Sequence, residues 1–252
     1  MPQENNPLAQ PSPALSRVNP FGDRGCIREP GRFFGRKPLL QRIFNELHKG
    51  SSLSLVGESQ VGKSSILAMV RHWGPKALKL APEQFIHVDM QVIRNEDEFF
   101  EALCEELQLI ETLRGFRLNR ALQGKRYIVC LDEIEKMVNQ QHFTGSEREE
   151  LRGFADGADA PLSLLIASRS PLNVLFDDDP TRTSPLHGLC GAPLRVDAFS
   201  QPEAQAFLTH RLTGNAVQFT PAQMQQLYDK TGGHPARLQA AAADLYRQLA
   251  KR

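Results

Sequence analysis

The chain has 252 residues, 40% of them hydrophobic, with 30 Lys and Arg against 29 Asp and Glu. That is enough chain for a large core with a small appended domain, and a net charge of +1 offers no global basic field to attract nucleic acid or an anionic membrane. Four scattered cysteines without a C-x-x-C pair suggest neither a zinc site nor a disulfide framework, and no apolar stretch reaches membrane-spanning length, so a soluble cytoplasmic protein with no membrane partner is expected.

Residues 1–30 carry Pro2, Pro7, Pro11, Pro13, Pro20 and Pro30 among Gln, Asn and Ser, the composition of a flexible tail, although Phe21 can bring its end against the body. Leu39, Leu40, Ile43, Phe44 and Leu47 then share one helical face. Ser52 to Val56 is a short apolar strand that ends directly on Gly57, and the helix that begins at Ser64 is expected to stop at Gly74-Pro75. Gln84 to Asp89 reads as a second strand, Asn95 caps a helix, and a short helical stretch runs from Leu113 to Leu122. Arg126 to Leu131 is an unbroken apolar run, as in a strand buried on both faces, with Cys130 as core packing; it ends at Asp132-Glu133. A polar helix from Ser146 to Ala155 leads to a fourth buried strand, Leu162 to Ala167, closed by Ser168-Arg169. The Asp177-Asp178-Asp179 run reads as a solvated loop, and Leu194 to Val196 makes a short fifth strand. Three helices follow, with Pro202, Pro221 and Pro235 in their first turns, where the missing N–H costs nothing. The alternation predicts an α/β three-layer sandwich on a five-stranded parallel sheet, with the fourth strand beside the first and a small C-terminal helical lid. The expected boundaries are tail 1–30, core 31–198 and lid 199–252.

Between the first strand and its helix stand Gly57, Glu58, Ser59, Gln60, Val61, Gly62, Lys63, Ser64 and Ser65, which fit G-x-x-x-x-G-K-[ST], the phosphate-binding loop. The two glycines let the backbone turn so that successive N–H groups face phosphates, and the helix N-terminus adds its positive end. Lys63 reaches the β and γ phosphates of a nucleotide, and the Ser64 hydroxyl can ligate the Mg²⁺ that bridges them. Asp132 is the second expected metal ligand. Glu133 next to it can orient and polarise the attacking water. Arg169 is expected on the γ phosphate, because a guanidinium bonds two phosphate oxygens and stabilises charge as the bond breaks. In Thr231-Gly-Gly-His-Pro-Ala-Arg237, His234 and Pro235 open a helix whose N-terminus can face a nucleotide, with Arg237 in the first turn; the same stretch also reads as a tight helix connection.

Over roughly residues 30 to 250 this set resembles the additional-strand P-loop ATPases of the AAA+ and STAND group, which includes Orc-like and NACHT-like ATPases. The resemblance rests on GESQVGKSS as Walker A, on Ile128 to Glu133 as Walker B, on Ala167-Ser168-Arg169 as sensor 1, and on Gly233-His234-Pro235 as the lid turn. It implies that Phe34, Gly35 and Arg36 lie near the adenine and that Pro235 packs there too. It further implies ATP with Mg²⁺ as ligand and a slowly hydrolysing, nucleotide-dependent switch that engages a protein partner or its own copies. No N-K-x-D element for guanine occurs. The alternative implied is a DNA-associated oligomeric AAA+ ATPase of the loader or transposition-helper kind, for which a local basic patch is needed. Arg148 and Arg152 sit where a trans-acting arginine finger could stand and also read as a solvated helical face. A catalytically idle adaptor is the third reading, against which Glu133 speaks.

Overall fold

In chain order the elements are α1 (Lys37–His48), β1 (Leu53–Val56), α2 (Lys63–Leu78), β2 (Phe85–Asp89), α3 (Glu96–Glu106), α4 (Gly115–Leu122), β3 (Tyr127–Asp132) and α5 (Ser146–Ala155). They continue with β4 (Leu162–Ser168), α6 (Leu172–Leu175), α7 (Leu186–Cys190), β5 (Leu194–Arg195), α8 (Gln201–Leu212), α9 (Pro221–Thr231) and α10 (Pro235–Leu249). The computed structural model describes residues 16–176 and 186–251, and the Asp177-Asp178-Asp179 run lies outside them. No helix among the described residues is long and apolar enough to cross a membrane. The described residues form two compact units, one within Arg24–Ala198 and a helical unit that joins residues 16–23 to residues 199–251.

In the first unit all strand pairs are parallel, in the order β2-β3-β4-β1-β5. Period-two alternation sends neighbouring side chains of one strand into two separate cores. Ile128 and Cys130 of β3 and Leu165 and Ala167 of β4 pack with α1 and α2, whereas Val129, Leu131, Leu164 and Ile166 pack with Phe99, Leu103, Leu118, Leu151 and Phe154 from α3, α4 and α5. An apolar run covered on both faces is the requirement of an interior parallel strand. As expected, β4 lies directly beside β1.

Helix α2 runs through Gly74-Pro75 to Leu78 instead of stopping at Trp73. An interior proline costs a helix its own N–H bond and crowds both the carbonyl one turn back and the residue before it; Gly74, with no Cβ, removes part of that last clash. The same glycine makes room for the sheet, since a Cβ there would lie 2.2 Å from a ring carbon of Phe85.

On the other face, α3, α4 and α5 are tied by polar contacts around Glu96. Its carboxylate accepts from the Arg114 guanidinium, the Ser146 hydroxyl and, at 2.8 Å, the Thr144 hydroxyl, while Arg114 also pairs with Glu150 at 2.9 Å. Burial alone would raise the Glu96 carboxyl, but the hydrogen bonds from Ser146, Thr144 and Arg114 outweigh it and hold the group at about 2 instead of 4.5. A depressed carboxyl stabilises the fold above its ordinary value, and that contribution is lost as pH falls from 4.5 toward about 2. The melting temperature is therefore expected to drop across that window, and Glu96→Gln, about 1–3 kcal/mol less stable at neutral pH, should flatten the drop. An unchanged acid slope in the variant would place the loss elsewhere.

The helical unit is closed by residues that composition alone assigns to a flexible tail. Phe21 is 2% exposed, stacked on Phe219 at 5.7 Å and edge-on to Phe207 at 6.3 Å. Ser16 bridges to Asn215, and Asp23 pairs with Arg211 at 2.8 Å. The end of the proline-rich stretch lies against the body, as Phe21 allows: one aromatic and a few polar anchors hold residues 16–23 on the helices, and the residues that follow belong to the first unit. Between α9 and α10, Gly232 and Gly233 both have positive φ, 60° and 71°. A Cβ on Gly233 would lie 2.0 Å from the Phe199 carbonyl oxygen, and the Phe199 N–H donates to the Gly233 carbonyl at 3.0 Å. The glycine pair therefore closes a tight helix connection against the start of this unit.

Candidate functional site

Because β4 lies between β1 and β3, the C-terminal ends of these three strands bring the phosphate-type loop, Ser168-Arg169 and Asp132-Glu133 side by side. This is the crevice at which open parallel sheets hold ligands.

The loop's two glycines have different reasons. Gly62 has φ 106°, a conformation that side chains resist. Gly57 is needed for space: a Cβ there would lie 2.4 Å from the Val196 carbonyl oxygen, because Val196 hydrogen-bonds Val56 as β5 runs past. Glu58, Ser59 and Gln60 are exposed, Gln60 with φ 61°, and Val61 is buried beneath them. Lys63 is 4% exposed, and its ammonium donates to the carbonyls of Gly57 at 2.8 Å and Glu58 at 2.9 Å. Burial pulls this ammonium below its ordinary value, while Glu133, Glu135 and Asp132 act the other way.

Asp132 is 5% exposed, pushed up by burial and held down by a hydrogen bond with the Ser64 side chain. Hydroxyl and carboxylate oxygens meeting at the loop are the donor set that suits a hard divalent cation. Ser65 departs from the expected set, since its hydroxyl accepts the Ile27 N–H at 2.9 Å and serves the packing of the segment before α1. Its backbone N–H, in the first turn of α2, is the part that can face a phosphate. Glu133 takes the left-handed conformation, φ 54° and ψ 50°, and its Oε2 pairs with the Arg169 guanidinium at 3.0 Å.

Phe34, Gly35 and Arg36 form the turn into α1, with Gly35 and Arg36 at φ 71° and 61°. The Arg36 guanidinium donates to the Asp197 carbonyl, next to the Val196 that abuts Gly57. The first unit therefore gathers Gly57 to Ser65, Asp132, Glu133 and Arg169, and links Arg36 to the same side of the sheet. His234, Pro235 and Arg237 belong to the helical unit: His234, 5% exposed, caps α10, Pro235 is its first residue, and Arg237 is exposed in the first turn.

Arg148 is not a solvated helical residue and is spent inside its own chain. It pairs with the fully buried Glu147 at 2.8 Å and lies over the Phe176 ring at 4.3 Å, a poor state for an arginine finger. Arg152 pairs with Asp156 at 3.0 Å. Among the described residues all four cysteines are free, and Cys130 is pushed up to about 12 by burial in the core. One acid escaped sequence reading. Glu135, two residues beyond Glu133, accepts the Arg169 N–H. The D-E-I-E pattern of residues 132–135 was its only signal, and nothing local says that the chain turns back at Glu133.

The family model described as AAA domain matches residues 42–174. No curated protein matches the sequence. Among solved structures, a Walker-type ATPase of Pyrococcus abyssi is 18% identical with a TM-score of 0.67, the match covering 92% of this chain and 74% of that one. The ORC2 protein of Aeropyrum pernix, in ADPNP–ADP complexes, is 12% identical with a TM-score of 0.63 over 94% and 72% of the two chains. Drosophila ORC bound to DNA is 15% identical with a TM-score of 0.62, and this chain spans 64% of its length. Likeness at such identities is likeness of fold.

Proposed function

The chain belongs to the AAA domain family of P-loop ATPases, and from that premise we propose that it binds ATP with Mg²⁺ in the cytoplasm, hydrolyses it slowly and acts as a nucleotide-dependent switch. What supports the reading is the convergence of the loop lysine, two strand-end acids and an arginine on three adjacent strands. The backbone N–H groups of Gly57 to Ser65 take the phosphate oxygens, and Lys63 exchanges its two loop carbonyls for the β and γ phosphates. Ser64 and Asp132 would hold the metal ion. When bound, such an ion neutralises charge on the phosphates. Glu133 accepts the proton of the attacking water. In this reading Arg169, now on Glu133, trades that carboxylate for a γ phosphate oxygen, so its position reports whether ATP or ADP is bound. Phe34, Gly35 and Arg36 flank the adenine in this reading.

A second reading, a DNA-associated oligomeric ATPase, is favoured by the exposed face of α4, where Phe116 is 75% exposed beside exposed Arg117 and Arg120. A-phosphate-rich duplex would find both charge and an aromatic there. Size measurement on Glu133→Gln with ATP or ADP, with and without duplex DNA, separates the two. A monomer under all conditions, with tight ATP and weak GTP binding, is the expected result. Multimers that need both ATP and DNA would move the second reading to first place, and absence of ATP binding would remove both.

A further inference from the structure

Glu135 is a third acid at the strand ends, and its place follows from how β3 leaves the sheet. The β3–β4 ladder ends at Leu131–Ile166. Glu133 then reverses the chain in the left-handed conformation, and a 3-10 helix, Ile134–Val138, carries Glu135 back toward the end of β4. There its Oε1 accepts the backbone N–H of Arg169, supplying the acceptor that the β3 backbone no longer offers. The carbonyl of the same peptide unit, that of Ser168, accepts the Gly57 N–H at 3.2 Å. A planar trans peptide presents its N–H and C=O to opposite sides. One peptide plane is thus gripped from the phosphate loop on one side and by Glu135 on the other, and the residue it carries is the arginine paired with Glu133.

The other oxygen of Glu135, Oε2, is buried, and among the described residues no hydrogen bond reaches it. A buried carboxylate oxygen without a donor is costly, so an apolar residue of similar size would be the more stable choice if packing were its task. Resting on the ATPase reading of Glu133 and Arg169, we propose that Glu135 is a positioning residue that fixes the Ser168–Arg169 peptide against the loop and so aims the Arg169 guanidinium.

Amide exchange by NMR without nucleotide, together with steady-state ATP turnover, tests this on Glu135→Ala and Glu135→Gln. Exchange of the Arg169 amide should quicken about 10- to 100-fold in the alanine variant, the size of one lost hydrogen bond to a charged acceptor, and kcat should fall by a similar factor with KM for ATP changed less than about threefold. Glutamine keeps an acceptor oxygen, so both readings should stay within about threefold of wild type. Glu135→Leu gives the same comparison if the alanine variant does not fold. Unchanged Arg169 exchange in the alanine or leucine variant overturns the proposal, as does a glutamine variant as slow as alanine. In either case loss of turnover in Glu133→Gln would show the ATPase reading still standing. A wild-type chain that binds no ATP would overturn both together.

Discussion

Lys63→Ala should lower ATP affinity by roughly 100-fold or more, as titration calorimetry would record. The ammonium is already dehydrated by burial and held at the loop by only two carbonyls, so little further cost is met when it turns to phosphate oxygens. Two hydrogen bonds between charged groups contribute about 3 kcal/mol together, and about 1.4 kcal/mol is tenfold in affinity. Removing the side chain also leaves Asp132, Glu133 and Glu135, which all act on Lys63, facing incoming phosphates without a compensating cation. The folded state should suffer less, since water can reach the Gly57 and Glu58 carbonyls once the chain is truncated. Thermal shift then gives a second measure: ATP should raise the melting temperature of wild type and leave the variant unmoved. Wild-type affinity in Lys63→Ala would refute the loop assignment.

For Glu133→Gln the expected pattern is the reverse, with binding kept and turnover lowered about 10²- to 10⁴-fold, the usual worth of a positioned general base. The substitution preserves shape and leaves the left-handed backbone at φ 54° as it was, because glutamine and glutamate meet the same steric cost there. What it removes is the charge that accepts a proton and pairs with Arg169. That guanidinium is 55% exposed, so the lost ion pair should cost no more than about 1 kcal/mol of stability. A burst-free phosphate-release assay alongside an ATP titration separates chemistry from binding. Turnover within about threefold of wild type would mean that the base is elsewhere, and Glu135 would be the next group to test.

Much of this molecule follows from its sequence because the decisive information is local. The spacing of Gly57, Gly62 and Lys63 between an apolar strand and a helix specifies a turn whose N–H groups converge, whatever packs around it. The short apolar runs of Tyr127 to Leu131 and Leu162 to Ala167, alternating with helical stretches, fit strands covered on both faces, as inside a parallel sheet. Tertiary structure decided what depends on distant neighbours. Gly74-Pro75 reads as a helix stop until Phe85 is seen to need the space beside a glycine in a continuing helix. Phe21 can be read as an anchor for the end of the tail, but only the fold shows that Phe207 and Phe219 supply the core that takes it. Arg148 reads as a surface charge until buried Glu147 claims it. Glu135 meets Arg169 only because β3 ends early and Glu133 reverses the chain, so two residues 34 apart in sequence share one hydrogen bond. Periodicity and motif spacing report how one segment turns and which face it buries; the partner that completes a polar group is set by strand order and by where each strand ends.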